Sequence, residues 1–240
     1  TIKASGNLLD DDANLSLAGL TGTATFTELS FRVEDVQLDA TAPLVVRFMP
    51  GEMVFEGARF TGPGTNIVLD GTLARPWVQA KDVILELLRR LTVSGGKNKI
   101  FEFTGPGVAT LSVTQRATVC NMITELGANT AIFPSDEQTR HFLRRQRRED
   151  QFVELGPDPG ASYDEETEVD LSALVPLIAK PHSPDNVVPV EEIAGIPAYQ
   201  VCFGSSVNSW YEDLAIPAAV MRGEHLPPTT TATVSPGSRQ

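Results

Sequence analysis

The feature that most constrains this chain is a change of hydrophobic period near Ala74. Before it, from Asn14 to Leu73, apolar and polar residues alternate: Leu15 with Leu17, Leu29 with Phe31 and Val33, Met53 with Phe55, Ile67 with Leu69. A period of two sends alternate side chains to one face of a strand. Gly19, Gly22, Pro50-Gly51 and Gly62-Pro63-Gly64 punctuate these runs as turns. Residues 1–74 therefore read as a strand-turn-strand series with one face to bury and no helix.

After Ala74 the pattern becomes mixed. Residues 81–91 set Val83, Ile84, Leu87, Leu88 and Leu91 at helical spacing, and Ser94-Gly95-Gly96 ends the run. Residues 99–103 read as a strand, 104–107 as a loop, and 114–126 as a helix closed by Gly127. A short strand is expected over 130–133. Ser135 with Gln138 has the spacing of a capping box for a helix through Arg148. Residues 171–178 form a short apolar segment, and 181–189, with three prolines, read as a linker. Residues 200–203 then run as a strand into the turn Gly204-Ser205-Ser206. Helices alternating with short strands imply an α/β layered domain.

Charge and cysteine usage exclude several functions. The net charge is −12; residues 1–74 hold 4 basic and 10 acidic side chains and the rest 15 and 21, so neither part has the footprint of a nucleic-acid binder. The run Arg144-Arg145-Gln146-Arg147-Arg148 is followed at once by Glu149 and Asp150 and reads as a solvated helix face. No apolar run approaches the roughly 18 residues of a transmembrane helix. The two cysteines, Cys120 and Cys202, are too few for a disulfide framework and suit a reducing compartment. They are also too few to supply three thiolate ligands.

The sequence blocks of residues 75–96 (RPWVQAKDVILELLRRLTVSGG), 99–108 (KIFEFTGPGV) and 111–137 (LSVTQRATVCNMITELGANTAIFPSDE) are followed by DEETEVDLSAL, SPDNVVPV, GSSVNSWYEDL and PGSRQ. In that order they resemble the interior of an aconitate hydratase, in the family that also holds homoaconitases and isopropylmalate dehydratase large subunits. The Gly-Pro-Gly-Val and Phe-Pro-Ser-Asp-Glu segments favour aconitate hydratase within it. The resemblance implies a three-layer α/β/α domain over 75–185 and the start of a second such domain over 186–240, both preceded by the β-rich segment.

It further implies a cytoplasmic hydro-lyase of the tricarboxylic acid cycle that interconverts citrate and isocitrate through cis-aconitate. In that family three cysteines hold a [4Fe–4S] cluster whose open iron acts as a Lewis acid on the leaving hydroxyl. By motif match, Asn121 and Glu125 correspond to groups near the cluster and its bound water, and i, i+4 spacing places them on one helix face. Ser206 stands where the family has its first cluster cysteine, and Asn208 keeps an asparagine of the same turn. An alcohol is a poor ligand for iron beside a thiolate. Val207 and Trp210 depart from the motif as well. The family's later Cys-x-x-Cys pair would fall beyond Gln240, and its catalytic histidines and aspartates lie before Arg75. His141, His182 and His225 match no family site and read as surface residues.

The opening segment resembles a different group, the TamB/AsmA proteins of the bacterial envelope, through LAGLTGTATFTELSFRVEDVQLDA and VVRFMPGEMVFEGARFTGPGTNIVLDGTLA. That resemblance implies a lipid-carrying β-groove, and open strand edges would make it prone to self-association. Both chain ends read as cuts. The expectation is thus a hydro-lyase fragment, inactive alone, in a gene-fragment fusion or assembly artefact; the rival reading is a non-enzymatic binding module.

Overall fold

The structure is a computed structural model that describes residues 2–5, 21–27, 30–33, 36–42, 44–49, 52–56, 59–61, 64–205, 207 and 209–237. The chain divides into two compact units, residues 1–63 and 64–240.

The first unit is built of strands β1 (Ile2–Ser5), β2 (Thr21–Phe26), β3 (Ser30–Val33), β4 (Val36–Ala42), β5 (Leu44–Met49), β6 (Glu52–Glu56) and β7 (Arg59–Thr61). They form two antiparallel sheets, in the orders β1-β2-β5-β6 and β3-β4-β7. Ala24 and Val46, directly opposite each other in the β2–β5 register, are buried. The strand series read from the alternation is therefore present, while Leu15, Leu17 and Leu29 lie outside the described residues.

The second unit begins ten residues ahead of the compositional break. Strand β8 (Gly64–Asp70) continues the alternating pattern in sequence, yet it is one of the two inner strands of a parallel sheet with β9 (Ile100–Thr104), β10 (Thr130–Ile132) and β11 (Glu165–Asp170). The order is β10-β9-β8-β11. Ile67 and Leu69, assigned from the pattern to the β-rich opening, are fully buried in the core of this second body.

One face of the sheet carries that core. Helix α1 (Ala80–Leu91) contributes Val83, Ile84, Leu87 and Leu88, and helix α2 (Val113–Met122) contributes Val119. These pack with Ile67, Leu69, Phe101, Phe103 and Val169 from the strands. Asp82 makes the start of α1 self-sufficient. Its Oδ2 accepts the Gln79 backbone N–H at 2.8 Å, and its Oδ1 accepts the Leu177 N–H at 2.9 Å, so one buried carboxylate both caps the helix and anchors a distant loop. The alternate residues of β8, β9 and β11 point the other way and form a polar layer. Thr104 Oγ1 donates to Asn66 Oδ1 at 2.7 Å, Asn66 Nδ2 donates to Glu166 Oε2 at 2.9 Å, and Tyr163 OH donates to Glu102 Oε2 at 3.0 Å. This body is the expected α/β domain, with a parallel sheet flanked by helices.

Three local expectations are corrected. The capping box lies at Ser112–Gln115, where Ser112 Oγ accepts the Gln115 N–H and Gln115 Oε1 accepts the Ser112 N–H. At Ser135 the backbone is engaged with Leu155, and Asp136, one residue on, caps helix α3 (Glu137–Arg145) by accepting the Gln138 and Thr139 N–H groups. Helix α3 also stops short of Arg148, with Arg147 in the left-handed region at φ 58°. The 181–189 linker is partly strand: β13 (Val187–Pro189) pairs antiparallel with β12 (Leu177–Ala179), because Val187 and Leu177 are apolar enough to join the core.

The chain then forms a β-α-β unit. Strands β14 (Gln200–Gly204) and β15 (Thr231–Ser235) pair in parallel, joined through helix α4 (Tyr211–Val220). The sequence reading placed no helix there; Pro217 sits inside it. No described helix is long and apolar enough to cross a membrane.

Candidate functional site

Helix α2 is the element that carries the sequence-predicted pair. Its buried side is set by Val119 and, in the single 3-10 turn that follows (Ile123–Leu126), by Ile123 and Leu126. With those three facing the core, Asn121 and Glu125 are left exposed. The helix tightens at Ile123, so Glu125 stands on the 3-10 turn rather than one α-helical turn beyond Asn121. Gly127, at φ 78°, ends the turn as expected.

The start of the same helix is fixed by a residue that sequence reasoning missed. Arg116 is 4% exposed. Its guanidinium donates to Leu111 O (3.1 Å), Val108 O (2.9 Å) and Pro134 O (3.0 Å), and forms a two-pronged pair with Asp136 at 2.9 and 2.7 Å. It also lies over the Phe133 ring, 5.8 Å from the centroid, and Phe133 in turn stacks on Phe103 at 4.5 Å. One side chain thereby ties the loop after β9, the loop after β10 and α2 into one block. Burial pushes the Asp136 carboxyl up, but the Arg116 hydrogen bonds and charge, with the Thr139 and Gln138 amides, bring it net below the usual aspartate range. The signal in sequence is weak: an arginine at an otherwise inward helix position.

Beside this helix the terminal β-α-β unit approaches. A cavity of about 60 Å³ lies between the beginnings of three helices, lined by Gln79 and Lys81 of the α1 region, Thr114 and Thr118 of α2, and Trp210 and Asp213 of the α4 region. Asp213 Oδ2 accepts the Trp210 N–H at 3.1 Å, and burial pushes its carboxyl up. The structure thus brings the beginning of α2 next to the segment that follows Ser205, whereas Asn121 and Glu125, at the other end of that helix, are not among the residues lining this cavity. Ser206 and Asn208 themselves lie outside the described residues. Adjoining this cavity, and sharing Gln79, Lys81, Asp213 and Ile216 with it, a wider cleft of about 720 Å³ is lined by Trp77, Cys202, Phe203, Pro217 and Met221, among others.

The strand order reverses between β8 and β11, the place where open parallel sheets commonly bind ligands. Asp70 and Asp170 stand opposite each other there. Their carboxylates are committed to the turns: Asp70 Oδ1 accepts the Gly71 N–H and Asp170 Oδ1 the Ser172 N–H, both at 2.8 Å. His141, His182 and His225 are all exposed, as the sequence reading had them.

The thiols do not match the donor set of an iron–sulfur cluster. Cys120 is half-buried on α2 with its Sγ against the Ala131 carbonyl at 3.8 Å. Cys202 is exposed on β14, where its sulfur accepts from Thr233 Oγ1 at 3.3 Å. Among the described residues no group of three or more His, Cys, Asp or Glu side chains is placed to hold a metal ion.

Comparison with known proteins agrees with this architecture. A family model described as Aconitase family (aconitate hydratase) matches residues 63–200, beginning at the strand that opens the parallel sheet. The chain is 40% identical over 175 residues to the 3-isopropylmalate dehydratase large subunit 2 of Archaeoglobus fulgidus, covering 73% of this chain and 42% of that protein. It is 42% identical over 164 residues to large subunit 1 of Methanopyrus kandleri (68% and 39%), and 39% identical over 177 residues to large subunit 1 of Thermotoga maritima (73% and 42%). The chain therefore spans about two fifths of the length of these relatives.

Proposed function

The chain belongs to the aconitase family, and on that premise we propose that it is a substrate-binding α/β segment of a hydro-lyase acting on a small hydroxylated carboxylic acid. The observation that carries this reading is the placement of Asn121 and Glu125. Both are exposed at the end of a helix whose other side is locked into the core, and it is the beginning of that helix that borders the terminal β-α-β unit. An amide can donate to a substrate carboxylate and accept from its hydroxyl, and a carboxylate can hold or take a proton. Their chemistry suits a reaction in which a hydroxyl and a proton leave adjacent carbons.

Within the family, the relatives being 3-isopropylmalate dehydratase large subunits favours 3-isopropylmalate over citrate, whereas the sequence blocks resemble the citrate enzymes. We take 3-isopropylmalate as the first candidate. The test is ligand-dependent stabilisation of the full chain in iron-free, chelated buffer. A ligand at 100 times its dissociation constant adds about 2.7 kcal/mol, which raises the melting temperature of the 64–240 unit by several degrees. The expected result is a rise with 3-isopropylmalate, a smaller one with citrate, and loss of both in Asn121→Ala and Glu125→Ala. Identical melting curves with and without either acid, up to millimolar concentrations, would sink the proposal.

A further inference from the structure

We propose that the wide cleft beside α4 binds a zwitterionic α-amino acid with a bulky apolar side chain, of the size of phenylalanine. The site is separate from Asn121 and Glu125, neither of which lines it. Its form comes from the way two cavities join. The narrow one, about 60 Å³, has room for a few water molecules. The wide one, about 720 Å³, is in the size range of small-molecule sites. Gln79, Lys81, Asp213 and Ile216 line both and so form the neck between them.

That neck offers a charge of each sign, and neither is fully engaged. Lys81 Nζ meets Asp82 Oδ1 at 3.3 Å, a long contact to an oxygen that already accepts the Leu177 N–H. An ammonium has three protons to donate, and no second acceptor holds this one among the described residues. Asp213 Oδ2 accepts the Trp210 N–H at 3.1 Å, yet no cation pairs with Asp213 among the described residues, and burial pushes its carboxyl up. A ligand ammonium supplies the missing counter-charge, while the ligand carboxylate takes the free protons of Lys81. Glu212, on the narrow cavity, adds a second negative charge beside Asp213. A plain carboxylic acid therefore meets two acids and one base, and a plain amine leaves Lys81 unengaged.

Beyond the neck the walls turn apolar. Trp77 lines the cleft together with Phe203 of β14 and Leu214 and Pro217 of α4. Trp77 is 60% exposed and sits at φ 68°, a backbone region that bulky residues avoid. Such outliers cluster at ligand-binding sites. An aromatic ring placed on the indole gains stacking contact that the chain itself leaves unused.

The experiment is titration of the full chain with L-phenylalanine. Intrinsic fluorescence reads the site directly, because Trp77 lines the wide cavity and Trp210 the narrow one. Saturation-transfer NMR of the ligand is the second readout. The comparison ligands are 3-phenylpropionate, which lacks the ammonium, and 2-phenylethylamine, which lacks the carboxylate. The expected result is saturable phenylalanine binding with a dissociation constant on the order of 1 mM or tighter. Each comparison ligand should be weaker by about tenfold or more. Lys81→Gln should weaken phenylalanine and phenylpropionate and leave phenylethylamine unchanged; Asp213→Asn, whose amide oxygen can still accept the Trp210 N–H, should spare phenylpropionate instead. A merely structural defect weakens all three ligands alike, and far-UV circular dichroism checks that each variant is folded. No fluorescence change and no saturation transfer with phenylalanine up to about 20 mM, well above the affinity a ligand of this size needs, overturns the proposal. So does equal affinity of the wild-type chain for all three ligands, or wild-type affinities in both variants. Asn121→Ala should bind phenylalanine as the wild type does, so failure here and failure of the hydroxy-acid reading are told apart.

Discussion

Replacing Arg116 by methionine removes the largest polar anchor of the α/β body at nearly constant volume. Two of the carbonyls it serves, Val108 O and Leu111 O, belong to buried hydrogen bonds; Val108 O keeps the Leu111 N–H at 3.1 Å, and a buried acceptor that loses its donor costs about 1–3 kcal/mol. Asp136 keeps its capping bonds to the Gln138 and Thr139 N–H groups and has 29% of its side chain exposed, so it recovers part of its hydration. Losing one partner of a buried ion pair costs about 3–5 kcal/mol, and the partial exposure of Asp136 puts the expected loss toward the lower half of that range. For a body of this size each kcal/mol lowers the melting temperature by about 2–4 °C, which gives a fall of about 6–15 °C. Both tryptophans, Trp77 and Trp210, lie in the second unit, so intrinsic fluorescence during urea unfolding follows that body alone. Arg116→Lys, which keeps the charge and loses the planar fork, should fall between wild type and Arg116→Met. An Arg116→Met stability within about 0.5 kcal/mol of wild type, the range of ordinary surface changes, would refute the claim that this guanidinium holds the block together.

Two further outcomes follow from the same geometry. Asp136 has a depressed folded-state pKa, so it contributes stability that is present above the ordinary aspartate value near 4 and is lost as pH falls through the lower folded value. Urea midpoints measured between pH 7 and pH 2 should therefore drop at the acid end, and Asp136→Asn, which can still cap α3, should flatten that drop; an unchanged acid limb would count against the pairing. Gly105 sits at φ 89° against the Leu69 backbone, and a Cβ there would collide with the Leu69 carbonyl. Gly105→Ala should destabilise the second unit by more than the roughly 1 kcal/mol of a typical substitution, and wild-type stability in the same fluorescence assay would show that the β8–β9 approach is looser than the structure has it.

Much of this protein follows from its sequence alone. The period of two before Ala74, the helical spacing of Val83, Ile84, Leu87 and Leu88, and the stop at Gly127 are consequences of backbone geometry acting over a few residues, and the structure has each of them. The ordered family blocks are equally local. What required the tertiary structure is every choice between partners. Alternation in residues 64–70 fits an antiparallel edge or a parallel centre equally well, and only pairing with β9 and β11 decided that this strand belongs to the second unit. Two Ser-x-x-Gln stretches have the spacing of a capping box, and the engagement of Ser135 with Leu155 left the box to Ser112. Arg116 and Asp136 stand 20 residues apart, and Thr118 lines a cavity with Trp210 from a segment still farther along. Propensity and period act through neighbours along the chain, whereas ion pairs, cavities and sheet order depend on which distant segments the core brings together.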